Sequence, residues 1–205
     1  MTRTITVAVA FHSGYGHTAR QAAAVAAGAR SISGITVAQY EVGRLDDDLW
    51  LGLAGADAIV FGSPTYMGSP AAAFQAFAEA SSTVWAEQGW QGKVAAGFTN
   101  SAGVNGDKLN TLTSFAVFAA QHGMHWVNLG LAPGWLYRSG GSPAELNRLG
   151  GFLGAMAQSP SDASADVAPA DADLLTAEHL GRRVAEVAAH LVAGRDSVAS
   201  AALGA

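Results

Sequence analysis

Apolar positions along this chain come in blocks, and the blocks alternate between two kinds. Ile5–Phe11 and residues 58–62 are nearly continuous apolar runs, which read as strands covered on both faces. Residues 35–42, 93–99 and 125–129 read as three further strands. Between them the pattern predicts helices over residues 16–30, 46–54, 71–84 and 109–121, and a last one over 176–193. Acidic residues 46–48 suit a helix N-terminus. Leu180, Val184, Val187 and Leu191 recur at helical spacing and predict a stripe facing the core. Five strands alternating with five helices predict an open, mostly parallel, doubly wound α/β sheet. In such sheets ligands bind beyond the carboxyl ends of the strands.

Residues 130–173 break the alternation. They hold Pro133, Gly134, Gly140, Gly141, Pro143, Pro160 and Pro169, and their end is polar and turn-rich. This stretch reads as a long excursion of one domain spanning residues 1–194, with a short helix near 145–149. Long loops in compact domains are often functional. Residues 195–205 are expected to fray.

Composition narrows the class. The chain has 205 residues, half of them hydrophobic and 13% charged, which excludes disorder for most of its length. A net charge of −5 argues against nucleic acid as the main partner. With no cysteine there is no disulfide framework, thiolate metal site or redox dithiol. The histidines lack carboxylate companions at ligand spacing, so no metal site is expected. The first residues do not read as a secretory signal, and no apolar run is long enough to cross a bilayer. A cytoplasmic protein is the expectation.

The strand-end rule directs attention to three loops. The first holds Ser13, Gly14, Tyr15, Gly16, His17 and Thr18, at the point where the first helix begins. Backbone N–H groups and the positive end of the helix dipole make such a turn an anion site. Neither Lys nor Arg lies in it, which points to a phosphomonoester held by hydroxyls and amides. A dinucleotide site is the rival reading: Gly14-x-Gly16 is present and Glu41 ends the second strand, but the third glycine of that fingerprint is missing. The second loop runs through Gly62, Ser63, Pro64, Thr65, Tyr66, Met67, Gly68, Ser69 and Pro70. It can offer amides to the edge of a heterocycle and Tyr66 or Met67 to its face. The third holds Asn100, Ser101, Ala102, Gly103, Val104, Asn105, Gly106 and Asp107. Each of the last two, taken alone, also reads as an ordinary solvated turn.

Together these segments resemble the flavodoxin superfamily, and most closely its WrbA-type NAD(P)H:quinone oxidoreductases. Ser13-x-Tyr15-Gly16-His17 resembles that family's S-x-Y-G-H phosphate loop, and residues 61–68 its F-G-[ST]-P-T-R-[FY]-G loop. Tyr66 stands where that loop has Arg. His122-Gly123-Met124 resembles its H-G-M, Trp85 falls at its tryptophan, and Gly141-Ser142-Pro143 resembles its G-G-[ST]-P. The resemblance implies a flavodoxin-like five-stranded sheet of order 2-1-3-4-5 and FMN as cofactor. It implies that residues 13–18 hold the phosphate. Pro64, Thr65, Tyr66, Met67 and Gly68, with residues 100–106, would flank the isoalloxazine ring, and His122 would approach it. Tyr15 and Trp85 would lie beside the nicotinamide or quinone.

The implied activity is electron transfer from NADH or NADPH to a quinone, a flavin or a similar small acceptor, with no catalytic acid or base among the side chains. Members of the family complete their sites between copies, so a homodimer or homotetramer is expected. A flavodoxin-like one-electron carrier is the alternative, and a flavin-free scaffold of the same fold is a third reading.

Overall fold

A computed structural model of the chain describes residues 4–203. The elements follow in the order β1 (Ile5–Phe11), α1 (His17–Arg30), β2 (Ile35–Glu41), α2 (Asp47–Gly55), β3 (Ala58–Tyr66) and β4 (Ser69–Pro70). Then come α3 (Ala72–Ala80), α4 (Ser82–Ala86), β5 (Val94–Ser101), α5 (Lys108–Gln121), β6 (His125–Trp126), β7 (Ala155–Gln158) and α6 (Asp171–Leu203). The sheet runs β2-β1-β3-β5-β6, and its main strand pairs are parallel. This is the expected 2-1-3-4-5 order once the two-residue β4, which folds back on β3, is set aside.

Alternation along the central strands builds a core on each face. Val7 and Val9 join Val60, Phe98, Leu180 and Val184 under α1 and α6. Ala8 and Ala10 join Ile59, Phe61, Phe74, Phe77 and Phe115 on the other face. Burying each of the larger side chains contributes roughly 1.5–3 kcal/mol. Helices α1 and α6 cross so closely that a Cβ at Gly28 would lie 1.8 Å from Glu178 O, and one at Gly181 1.9 Å from Val25 O. Glycine at both positions is what permits that crossing.

The fifth position of the sheet departs from the expected strand over residues 125–129. Only His125 and Trp126 pair with the start of β5, opposite Val94 and Ala95. The chain then turns out through Gly130, at φ 62°, and returns as β7, which pairs with Phe98–Ser101 at the carboxyl end of β5. A Cβ at Gly154 would sit 2.1 Å from Gly97 O, so the return depends on a small residue there. The excursion thus carries half a strand of the sheet within it.

The short helix expected near residues 145–149 is absent; turns replace it. Asn147 adopts φ 50°, incompatible with a right-handed helix, and its buried amide donates to Leu131 O and Gly151 O. The helix expected over 71–84 is divided at Ser81, whose Oγ turns back to Ala78 O. Helix α6 begins at Asp171 and continues to Leu203, through much of the segment expected to fray; residues 204 and 205 of that segment lie outside the described residues. Among the described residues no helix is long and apolar enough to cross a membrane.

Candidate functional site

The loops after β1, β3 and β5 meet at the carboxyl edge of the sheet around a cleft of about 860 Å³, within the range of small-molecule sites. Tyr15, His17 and Thr18 line it from the first loop, Pro64, Thr65, Tyr66 and Met67 from the second, and Asn100, Ser101 and Ala102 from the third. Ser13, Gly14 and Gly16 lie in the first loop without lining the cleft themselves. Gly68 sits behind Met67, and residues 103–106 curl away from the cleft; Asn105 instead faces a separate hollow with Leu109 and Phe152.

The first loop leaves backbone N–H groups unpartnered at the head of α1. Gly16 precedes α1 at φ 89°, a conformation that side chains rarely adopt, and a Cβ there would meet Ala165 Cβ at 2.9 Å. Ser13 Oγ accepts from Ala19 N–H and Arg20 N–H goes to Gly16 O. Among the described residues no acceptor meets the N–H groups of Gly14, Tyr15 and Gly16, and those of His17 and Thr18 open the helix, where no intrahelical partner exists. Glu41, the acid weighed for a dinucleotide ribose, is committed elsewhere. Its carboxylate accepts from the Ser13 and Gly43 amides and lies 2.9 Å from His12 Nδ1.

The second loop is rigid. Thr65 Oγ1 lies 2.7 Å from Thr99 Oγ1 and donates to Thr111 Oγ1, while Ser63 Oγ caps the start of α3 at Ala71 N. Met67 and Gly68 both take positive φ, 48° and 80°, forming the two-residue hairpin turn between β3 and β4. Met67 stands fully exposed at that tip. The Tyr66 hydroxyl reaches the first loop: a Cβ at Gly14 would be 2.5 Å from it. Burial, and secondarily the neighbouring Tyr15, raise the Tyr66 pKa above its ordinary value.

The third loop is held from behind. Lys108, wholly buried at the start of α5, donates to Ser101 Oγ and Gly103 O, while Gln158 Nε2 donates to Ala102 O. Arg148 grips the buried Asp173 through two 2.7 Å bonds, and Asp173 also accepts from Gln158 N. Burial, opposed by Asp173 and reinforced by Arg148, lowers the Lys108 pKa to about 8.

A fourth wall was not foreseen as part of the site. Ser159, Ser161, Ala163, Ser164 and Ala165 line the cleft as the chain leaves β7. Ser159 Oγ donates to Asn100 Oδ1; His17 Nε2 meets Ala163 O, and Arg20 donates to Ala165 O and Asp166 O. The polar, turn-rich character of this segment was its only signal in the sequence.

Two expected residues lie elsewhere in the chain. His122 caps the carboxyl end of α5, about 21 Å along the helix axis from the end where Lys108 bonds to the cleft-lining Ser101. It is buried against Trp90, with ring centroids 4.4 Å apart, and its Nε2 lies 3.0 Å from Ser81 Oγ. Its Nδ1 is buried without a partner, and burial lowers its pKa. Trp85, half exposed on α4, lines a small hollow with His122 at that same far edge. A helix length separates the H-G-M segment from the cleft of its own chain.

Sheet order, crossover helices and a cleft on three strand-end loops define a flavodoxin-like α/β protein, and exclude the 3-2-1-4-5-6 order of dinucleotide folds. A family described as NADPH-dependent FMN reductase matches residues 49–132. The chain is 45% identical over 183 residues to Flavodoxin FldP of Pseudomonas aeruginosa, covering 89% of this chain and 96% of that protein. It is 30% identical over 210 residues to an NAD(P)H dehydrogenase (quinone) of Geotalea uraniireducens, covering 90% and 98%. The crystal structure of a flavodoxin, WrbA-like protein from Agrobacterium tumefaciens superposes with TM-score 0.71 at 43% identity, covering 91% of this chain and 98% of that one. The chain belongs to the WrbA-type branch of the flavodoxin superfamily.

Proposed function

We propose that the cleft binds FMN and that the protein passes electrons from NADH or NADPH to a quinone or similar small acceptor. The observation that carries this is the set of unpartnered amides at residues 14–16, in the loop at the head of α1 whose Tyr15, His17 and Thr18 line one cleft with the loops after β3 and β5. A phosphomonoester fits that cradle, since it offers hydroxyls and unpartnered N–H groups at a helix head. The bound flavin supplies the hydride and electron chemistry; the protein supplies position and electrostatics. Ser13, Thr18 and the loop amides hold the phosphate. Thr65 and residues 100–102 support the ring, and Tyr15, Tyr66 and Met67 stand where a second flat molecule enters. Trp85 and His122 reach such a cleft only from a second copy of the chain, in keeping with the sites that family members complete between copies.

A second reading, a one-electron carrier, is favoured by the 45% identity to a flavodoxin and by Tyr66 at the position of the family's Arg. Spectra of the purified protein distinguish them. On the enzyme reading, anaerobic NADPH bleaches the visible flavin band and benzoquinone restores it over many turnovers. Bleaching by dithionite but not by either nicotinamide refutes the enzyme reading and leaves the carrier. Failure to bind added FMN refutes both.

A further inference from the structure

We infer that Lys108 is a positioning residue whose buried ammonium fixes the turn after β5 and sets a positive charge behind the cleft floor, so that reduced, electron-rich FMN is held more tightly than oxidised FMN. The inference rests on the FMN reading and specifies how this chain tunes that group. Lys108 is wholly buried, and its Nζ donates to Ser101 Oγ at 2.7 Å and to Gly103 O at 2.6 Å. Ser101 itself lines the cleft, so the charge stands one hydrogen bond behind the cleft wall. An ammonium removed from water is costly unless something compensates it. Here two neutral acceptors and the neighbouring Asp173 compensate it, and Asp173 is already shared with Arg148. Two cations and one carboxylate leave a net positive charge under the turn.

The same bonds orient the turn. Gly103 O is drawn to Lys108 and Ala102 O to Gln158, so both carbonyls are tied to side chains of the protein. A flavin bound in the cleft would lie against a floor whose own carbonyl oxygens are engaged and whose backing is positive. Charge near a flavin is a recognised means of tuning it. A solvated lysine on a helix would not act this way, because water would screen it.

The test measures, at pH 6, where the lysine keeps its proton even without Asp173, on the full chain, the affinity for oxidised FMN and for dithionite-reduced FMN. In Lys108→Met, a near-isosteric loss of charge, the ratio of reduced to oxidised affinity is expected to fall about tenfold, equivalent to about 30 mV in a two-electron potential. Asp173→Asn disturbs the same network but leaves the lysine and removes a negative charge, so its ratio is expected to rise. Opposite shifts support the inference. Equal ratios in all three proteins, or shifts of the same sign, show a merely structural role and overturn it. If wild-type protein binds neither form of FMN, the cofactor reading itself has failed and the inference falls with it. Should Lys108→Met not fold, the direction of the Asp173→Asn shift alone decides.

Discussion

Burying Lys108 leaves a signature in stability that needs no cofactor. Its pKa is lowered from 10.5 to about 8 in the folded chain, chiefly by burial. Below pH 8 both folded and unfolded chains carry the proton, and the folded state bears the whole cost of holding a dry ammonium. Between pH 8 and 10.5 the unfolded chain binds more protons than the folded one, so unfolding free energy must rise with pH. Above 10.5 both states are neutral and the gain is complete. At about 1.4 kcal/mol per pH unit, the gap between the two values sets a gain of about 3 kcal/mol. Tyr66, whose pKa is raised in the folded chain, acts with the opposite sign above pH 10, but it is present in every variant that keeps it. The assay is urea unfolding of apo-protein and of Lys108→Met at pH 7.5, 9 and 10.5, read as the difference between them. Wild type should gain on the variant by most of that amount across the range. A difference that stays constant with pH refutes the buried, proton-shedding lysine.

The remaining predictions concern the cradle and the ion pair behind it. Gly16→Ala forces a side chain into φ 89° and within 2.9 Å of Ala165 Cβ. A cost of about 1–3 kcal/mol in the loop should weaken FMN binding by roughly tenfold or more, and a fluorescence titration showing unchanged affinity would contradict the cradle. Asp173→Asn takes the charged partner from the partly exposed Arg148 and should lower stability by about 1–3 kcal/mol, measured as a fall in the urea midpoint.

Most of the sheet was legible because its central strands are covered on both faces. Val7, Val9, Ile59, Val60 and Phe61 are all fully buried, and a strand in that setting shows as an unbroken apolar run whatever surrounds it. The end of the fifth strand was not legible. Ala155–Gln158 has no β-branched residue, and its extended form comes from pairing with β5 rather than from local preference. Asn147 was missed for a related reason: an asparagine among turn residues gives no sign that its amide will bridge two backbone carbonyls.

The site divides along the same line. Residues 13–18 are legible as one turn, since their glycines and hydroxyls are adjacent in sequence and fold together at the head of α1. Lys108, Arg148, Gln158 and Asp173 are spread over 66 positions of chain and meet only because the sheet is completed by a strand from inside the excursion. Read singly, each of these looks like a solvated surface residue. Nor did their charge single them out: Arg138, Glu145, Asp162, Asp166 and Asp171 lie in the same segment. His122 shows the converse. A motif can match a family residue by residue and still lie a helix length from its own cleft, because matching fixes position along the chain and not the end of α5 on which the residue falls.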